Sequence, residues 1–553
     1  MAKSRKGRRF PPKKPTGSQG RRDQYDHDSP RDSGESRSSL NDISWYARNP
    51  KLLAAAGSFP YPYRPGMTME LNPTQGANKA GTFTKVQSLM RLDWCPSFGM
   101  SSESTDPASI AAKEFYGRVR EAFSGSIDAD APDFLVYIGA LDSIYTYIGW
   151  LKRVYRAIST YSPDNFDLPD AILRASGFTA DDDIQNLRQN KVRFWQMINE
   201  LILMTRKFKC PAVMDMFNRH YWMSDNVYAD QATLRAQLFM YNLVGVYKLQ
   251  LLPVDDSSSN TAMGLQMTML PTRRLKDAVP TVDSLYEFGL GLIQAMDAWD
   301  DGYLISGYLQ RAFKDVPSFT IAELEQNELI TASFTPEVLS QIENFRSIYP
   351  PAVEPTDAIL TSILSQMTLS QRVTDNAVVT NPSVKFTVTE TDMNQYKAWA
   401  NLYDGGISPL LNVHTDEPTV ADSVIASRMH AHTVWTTTSV ANEIVAQYSC
   451  GTEVPLALGM YGLGINTAMY QLNTLQYYDL SKGMTYNDNW VFSTLLALQQ
   501  FDWHPIILVV LNLFAGTAMY PAGDLYNPTV LSAGQIRNLH KICLYSELNS
   551  FGI

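Results

Sequence analysis

Hydrophobic residues recur at helical spacing in the segment that follows Thr179. Ile184, Leu187, Phe194 and Ile198 are separated by three, seven and four residues, so they share one face of an α-helix. Thr179 fits the N-cap position, and three aspartates follow it in the first turn, where the helix dipole favours anions. The pattern predicts an amphipathic helix from this threonine to about residue 206.

Similar spacing, or a longer apolar run, predicts helices in other parts of the chain. The expected bounds are 107–123, 131–161, 231–247, 282–312, 335–347, 355–371, 419–447 and 490–515. One short stretch differs, because Val384, Phe386 and Val388 alternate with polar residues and so predict a half-buried strand. The predicted fold class is therefore mainly α with minor β.

Loop-forming residues divide the chain into segments. The sequence PVDDSSSN at residues 253–260 is typical of a loop, and the elements between it and residue 414 are short and separated by prolines. The simplest layout is a discontinuous body with one insertion. We expect the body to comprise residues 41–253 plus 415–553, and residues 254–414 to form an inserted, more exposed domain.

Residues 1–40 have too few apolar side chains to form a core. Only five of the forty are apolar, which cannot offset the conformational entropy lost on ordering the segment. Four prolines also oppose a regular helix. We expect a disordered arm that spans about 35 Å as a coil and extends away from the folded body.

Charge is segregated along the chain. The net charge is −10, yet residues 1–22 contain nine basic residues and no acid. The remaining chain therefore holds 37 basic against 56 acidic residues, a net charge of −19. The candidate nucleic-acid-binding residues are Lys3, Arg5, Lys6, Arg8, Arg9, Lys13, Lys14, Arg21 and Arg22.

The composition of this basic segment favours contact with phosphates over contact with bases. Aromatic residues do not alternate with the cations, so stacking on single-stranded bases is not the expected mode of binding. We predict non-specific binding to a nucleic-acid backbone. A nuclear-import signal and a solubilising tail remain alternative interpretations of the same residues.

Candidate catalytic and metal-binding groups are sparse. His430 and His432 are two residues apart, and in the helix expected there they point in opposite directions and cannot chelate one ion. Asp297, Asp300 and Asp301 are one turn apart, but an acidic helix end explains them as well. We therefore predict no catalytic residue, no metal and no cofactor, and we expect that the protein is not an enzyme.

The cysteines and the hydrophobic runs suggest a protein made in a reducing compartment. Cys95, Cys210, Cys450 and Cys543 are more than 90 residues apart and are expected to be free thiols. The longest uninterrupted apolar run, residues 506–511, is far shorter than the ~20 residues needed to cross a bilayer. We expect no stable membrane insertion.

The chain resembles the capsid proteins of picobirnaviruses, which are small double-stranded RNA viruses. The resemblance is carried by the N-terminal sequence MAKSRKGRRFPPKK and by the run FNRHYWMSDNVYAD from Phe217 to Asp230. It implies an icosahedral shell of homodimers with a mainly helical shell domain, a protruding domain and an arm that faces packaged double-stranded RNA. It also implies location in the virion, after synthesis in the host cytoplasm.

Two other functions remain open at this point. An RNA-coating nucleoprotein that forms filaments would also carry a basic arm, but its body should present a long basic groove. An enzyme of unfamiliar class would need a deep pocket with perturbed acids, for example around Asp297 and Asp301. The resemblance favours the capsid protein.

Overall fold

The computed structural model describes residues 48–57, 68–70, 83–85, 87–160, 167–233, 235–254, 257–351, 353–403, 407–462, 469–479, 495, 497–513 and 516–548. The predicted disordered arm, residues 1–40, lies outside these residues. Residues 1–62 form one unit, in which helix α1 (Pro50–Ala56) is described, and residues 63–553 form a second compact unit. The candidate functional site lies in the second unit.

Helices of the second unit are distributed along its whole length. They are α2 (Pro107–Ala122), α3 (Ala131–Ser159), α4 (Asp167–Ala175), α5 (Asp181–Gln189), α6 (Lys191–Thr205), α7 (Asp215–Asp225), α8 (Val282–Asp297), α9 (Asp300–Ala312), α10 (Pro336–Glu343), α11 (Asp357–Leu364), α12 (Glu390–Ala400), α13 (Val420–Ser427) and α14 (Ala533–Leu548). Helices α2 and α3 confirm the helices predicted at 107–123 and 131–161. The helix predicted at 282–312 is confirmed as α8 and α9, with a break between them.

Strands are as widely distributed as helices. They are β1 (Thr68–Glu70), β2 (Phe83–Lys85), β3 (Gln87–Pro96), β4 (Val227–Ala229), β5 (Leu238–Leu243), β6 (Gly245–Val254), β7 (Ser257–Met269), β8 (Ala332–Ser333), β9 (Thr368–Arg372), β10 (Ala377–Thr380), β11 (Ser383–Thr387), β12 (Leu410–Asn412), β13 (His432–Thr437), β14 (Glu443–Ser449), β15 (Glu453–Gly462), β16 (Met469–Leu472), β17 (Leu475–Asp479), β18 (Ile507–Leu513), β19 (Gly516–Ala522) and β20 (Pro528–Val530). Strand β11 confirms the alternation that predicted it.

The prediction of a mainly α fold with minor β is wrong. Helices and several β-sheets share the chain, including sheets of six, four and three strands among the described residues. The predicted helix at 231–247 is strand β5 and the start of β6, and the one at 419–447 is α13 followed by β13 and β14. Strand β5 is buried on both faces, which hides its period of two, whereas β14 alternates between buried and less buried residues and its period of two was missed.

Three smaller helix predictions also need correction. The helix expected at 355–371 is α11, which ends at Leu364, followed by strand β9 from Thr368. The helix expected from Thr179 to residue 206 is two helices, α5 and α6, divided at Asn190, and its N-cap is Ala180. Within the run expected to be a buried helix at 490–515, residues Ile507–Leu513 form strand β18. β-branched Ile507, Val509 and Val510 favour an extended backbone over a helix.

A six-stranded mixed sheet lies at the centre of the second unit. Its strand order is β16-β15-β3-β5-β4-β8, with β3 antiparallel to β15 and parallel to β5. Helix α3 packs against α2, α6, α7 and strand β6. Nearly every residue of α3 is buried, and although α3 is long and apolar enough to cross a membrane, its most hydrophobic window is entirely inside the protein.

The proposed boundary between body and insertion falls inside a hairpin. Strand β6 ends at Val254 and pairs with β7 through an antiparallel register from Gly245–Met269 to Val254–Ser257. Strands β9 and β10 extend the same sheet. The division into residues 41–253 plus 415–553 and residues 254–414 stays a prediction.

Candidate functional site: the ion network around helix α7

The segment from Phe217 to Asp230 forms most of helix α7 and all of strand β4. Phe217, His220 and Met223 are buried, because they share the face of α7 that packs against α3 and α14. The polar residues of the segment are not all directed to solvent. Several of them enter ion pairs with distant parts of the chain, which makes this segment the centre of the candidate site.

Four side chains form the core of the network. Arg219 on α7 donates a hydrogen bond from Nε to Oε1 of Glu453, the first residue of β15. Arg428, which follows α13, lies 3.3 Å from the same carboxylate oxygen and donates to Glu547 on α14. Burial opposes ionisation of Glu453, but the two arginines outweigh it and lower the pKa of this carboxyl to about 2.

A histidine–aspartate pair extends the network into the core. His220 Nδ1 lies 2.7 Å from Asp142 Oδ2 on α3, and His220 Nε2 lies 3.9 Å from Glu453 Oε1. Burial lowers the pKa of His220, but Asp142 and Glu453 outweigh it and raise that pKa above its ordinary value. Both partners are fully buried, and within the described residues no hydroxyl or thiol is hydrogen-bonded to His220 Nε2. The pair therefore suits a structural role.

A second set of contacts fixes α7 to the central sheet. Arg153 on α3 is fully buried and donates to the carbonyl oxygens of Tyr241 at 2.7 Å and Met223 at 3.3 Å. Arg156, one turn further along α3, pairs with Asp225 at the end of α7. Together these bonds connect helix α3, helix α7 and strand β5 through charged groups rather than apolar packing alone.

A cavity of about 620 Å³ lies beside the network. Its lining includes Arg219, Arg428 and Glu547 from the network, the aromatic side chains of Tyr221 and Trp222, and the exposed acids Asp215 and Glu337. Both arginines are already paired with carboxylates, so the cavity does not present free cations to a polyanion. Among the described residues, no group of histidine, cysteine and acidic side chains is arranged to hold a metal ion.

The sequence-based candidates have mixed outcomes. The nine basic residues from Lys3 to Arg22 lie outside the described residues. Asp297 pairs with Lys207 and accepts a hydrogen bond from Tyr303, and Asp300 begins helix α9, as expected of acidic helix ends. All four cysteines are buried free thiols, which confirms that prediction.

The helix expected at His430 and His432 is wrong, because β13 begins at His432. Both histidines pack with His540 of α14 in a cluster that also contains Arg346 and Arg537. His540 Nε2 lies 2.8 Å from the carbonyl oxygen of His430 and its Nδ1 lies 2.8 Å from Ser449 Oγ. Burial and the neighbouring cations lower the pKa of His540 to about 4, and the pKa values of His430 and His432 are also lowered, so the three histidines are neutral at pH 7.

We expect this histidine cluster to make the fold acid-sensitive. His540 is buried and takes up a proton near pH 4, whereas the unfolded histidine does so near pH 6.5, so the free energy of unfolding falls as pH falls through this window. The slope for one such histidine approaches about 1.4 kcal/mol per pH unit. The substitution His540→Gln should reduce the slope of the free energy of unfolding against pH between pH 6 and 4.5, as measured by chemical denaturation. An unchanged slope would contradict this expectation.

Comparison with known proteins agrees with the fold. A crystal structure of the picobirnavirus capsid superposes with a TM-score of 0.74 at 19% sequence identity, covering 93% of this chain and 99% of that one. The architecture is therefore that of a viral capsid subunit.

The chain belongs to the picobirnavirus capsid protein family, whose model matches residues 45–479. A relative from human picobirnavirus (strain Human/Thailand/Hy005102/-), described as a capsid protein precursor, is 24% identical over 528 residues, which is 93% of this chain and 91% of the relative. Family membership makes the chain a structural protein of the virion that associates with copies of itself, and it indicates a structural rather than an enzymatic role.

Proposed function

We propose that copies of this chain assemble, via dimers, into an icosahedral shell that packages double-stranded RNA through the basic N-terminal arm. The observation that carries the proposal is the charge segregation, nine cations without an acid in residues 1–22 and a net charge of −19 on the remaining chain. Synthesis in the host cytoplasm is consistent with the four free thiols. Residues 41–253 plus 415–553 would form the shell, and residues 254–414 would protrude.

The proposed mechanism is electrostatic. Cations on the arms neutralise phosphates inside the shell, while the acidic body repels RNA at short range, because the Debye length at physiological salt is about 8 Å. RNA would then be held by the arms rather than by the inner wall. Loosely held RNA remains free to slide within the particle.

The described surface argues against an RNA-coating filament. Such a protein needs a basic groove on its body, yet many exposed arginines here are paired with carboxylates. These pairs include Arg118–Glu121, Arg188–Asp170, Arg193–Asp283 and Arg206–Glu323. Paired guanidinium groups contribute little net positive potential to a phosphate backbone, so the arm remains the better candidate for RNA binding.

Sedimentation velocity of the purified chain at neutral pH tests the shell. We expect assemblies far larger than the 62.0 kDa chain, together with nucleic acid that sediments with them. A single species at the mass of one chain would contradict the proposal.

RNA binding should depend steeply on salt. Nine cations that displace counterions give a slope of log affinity against log salt of about −6 to −8. Replacing Arg5, Arg8 and Arg9 by glutamine should reduce that slope by about 2 to 3, with little effect of RNA sequence. The measurement is a filter-binding titration at several salt concentrations. An unchanged slope would exclude these residues from phosphate contact.

A further inference from the structure

The segment from Gly516 to Ser532 carries an unusual exposed surface. Tyr520, Tyr526 and Val530 are 51%, 54% and 65% exposed, and Leu525 between them is also exposed. Large apolar side chains that are exposed this close together in sequence are typical of a contact surface rather than of free solvent-facing protein. We call Tyr520, Leu525, Tyr526 and Val530 the apolar edge.

The apolar edge is held rigidly. Asn412 is fully buried and binds the connecting loop twice, donating from Nδ2 to the carbonyl oxygen of Asp524 at 2.9 Å and accepting from the N–H of Tyr526 at 2.8 Å. The hydroxyl of Tyr526 donates to Asp416 at 2.7 Å. Because these bonds fix the backbone and one ring before any partner arrives, the apolar edge itself loses less conformational entropy on binding.

Two edge strands lie within the same segment of the chain. Strand β19 is the last strand of the sheet β17-β18-β19, and β20 pairs with β12 in a two-stranded ribbon. Within the described residues neither β19 nor β20 has a strand on its outer side. Unpaired edges with apolar side chains favour association with another polypeptide, and native proteins usually protect them with charged residues.

Charge is sparse on this surface, although Asp416 accepts a hydrogen bond from Tyr526 and Asp524 lies in the connecting loop. Residues 516–532 contain a single charged residue, Asp524, and residues 407–412 around β12 contain none, whereas 18% of the whole chain is charged. The chain after residue 22 has a net charge of −19 and repels its own copies, so a contact between copies is most favourable where like charges are few. The low charge, together with the self-association of this family, therefore matches a second copy of this chain.

We propose that the apolar edge is a contact surface for a second copy of this chain in the shell. Tyr520 and Tyr526 would be the anchors of the contact, because rigid aromatic side chains supply large apolar area at small entropic cost. The neighbouring strand edges would lie at the same contact. This inference rests on the proposed function, since it names where the self-association takes place.

Substitution at the edge tests the proposal. The double variant Tyr520→Asp/Val530→Asp places two carboxylates in the contact, and each must lose its hydration without a partner. Under conditions in which the natural chain is mostly assembled, we expect the assembled fraction of the double variant, measured by sedimentation velocity, to fall at least tenfold. The matched control is Val192→Asp on α6, a residue 61% exposed, which should assemble normally. Both proteins should keep the thermal unfolding midpoint of the natural chain.

A second measurement needs no variant. Hydrogen exchange of residues 516–532 is compared between dissociated chains and purified shells, and we expect it to slow at least tenfold in shells. Equal protection in both states would show that the chain covers this surface itself. Equally fast exchange in both states would show that no second copy covers this surface in shells. Either result overturns the inference, as does normal assembly of the double variant. Absence of shells from the natural chain would instead refute the proposed function.

Discussion

Shells formed by a chain that lacks residues 1–40 are expected to contain at least tenfold less RNA than shells of the full chain. The deletion removes all nine clustered cations, while the family match begins only at residue 45 and the second unit at residue 63. Assembly should therefore persist while packaging is lost. The ratio of absorbance at 260 nm to that at 280 nm in gradient-purified particles measures the effect.

The control for this deletion is removal of residues 23–40 alone. That half of the arm carries five acids against two arginines, so its loss leaves the nine cations in place. We expect these shells to package RNA as well as the full chain does. Normal RNA content in the larger deletion would show that the arm does not hold the genome.

Loss of the Glu453 charge should be among the most destabilising single changes. Glu453→Gln keeps the shape of the side chain but removes a buried charge that pairs with both Arg219 and Arg428. Among the described carboxylates, it leaves Arg219 only the longer 3.7 Å contact with Glu547. Removing one partner of a buried pair costs about 3–5 kcal/mol of unfolding free energy. The depressed pKa of Glu453 also predicts that its ionised carboxylate stabilises the fold. This stabilisation is present above pH 4.5 and is lost as pH falls towards 2.

The matched control is Glu121→Gln. Glu121 also pairs with an arginine, Arg118, but both side chains are exposed, so its loss should cost no more than about 1 kcal/mol. Chemical denaturation of both variants at pH 7 provides the comparison. A Glu453→Gln variant as stable as the Glu121→Gln variant would show that the network does not stabilise the fold.

Elements with a single clear periodicity could be predicted from sequence. Helices α2 and α3 end within two residues of their expected bounds, and the alternation around Phe386 gave strand β11. Strand β5 was missed because the run from Leu238 to Leu243 is buried throughout and shows no alternation. In such strands, burial on both faces removes the signal that separates a strand from a buried helix.

The ion network could not be predicted, because its members are far apart in sequence. Asp142, His220, Glu453 and Glu547 meet only after α3, α7, β15 and α14 have packed. One signal was present, since Asp142 is the only charged residue between Phe134 and Leu151 of α3 and such a charge requires a partner. Sequence shows that a partner is needed, but the choice among distant cations depends on the tertiary structure.

Electron microscopy of the purified full-length chain at neutral pH is the most direct test of the account. A capsid subunit with a basic arm should appear as closed, isometric shells filled with nucleic acid, and shells of the chain lacking residues 1–40 should appear empty. Isolated particles of about 62 kDa, or open filaments, would contradict the account.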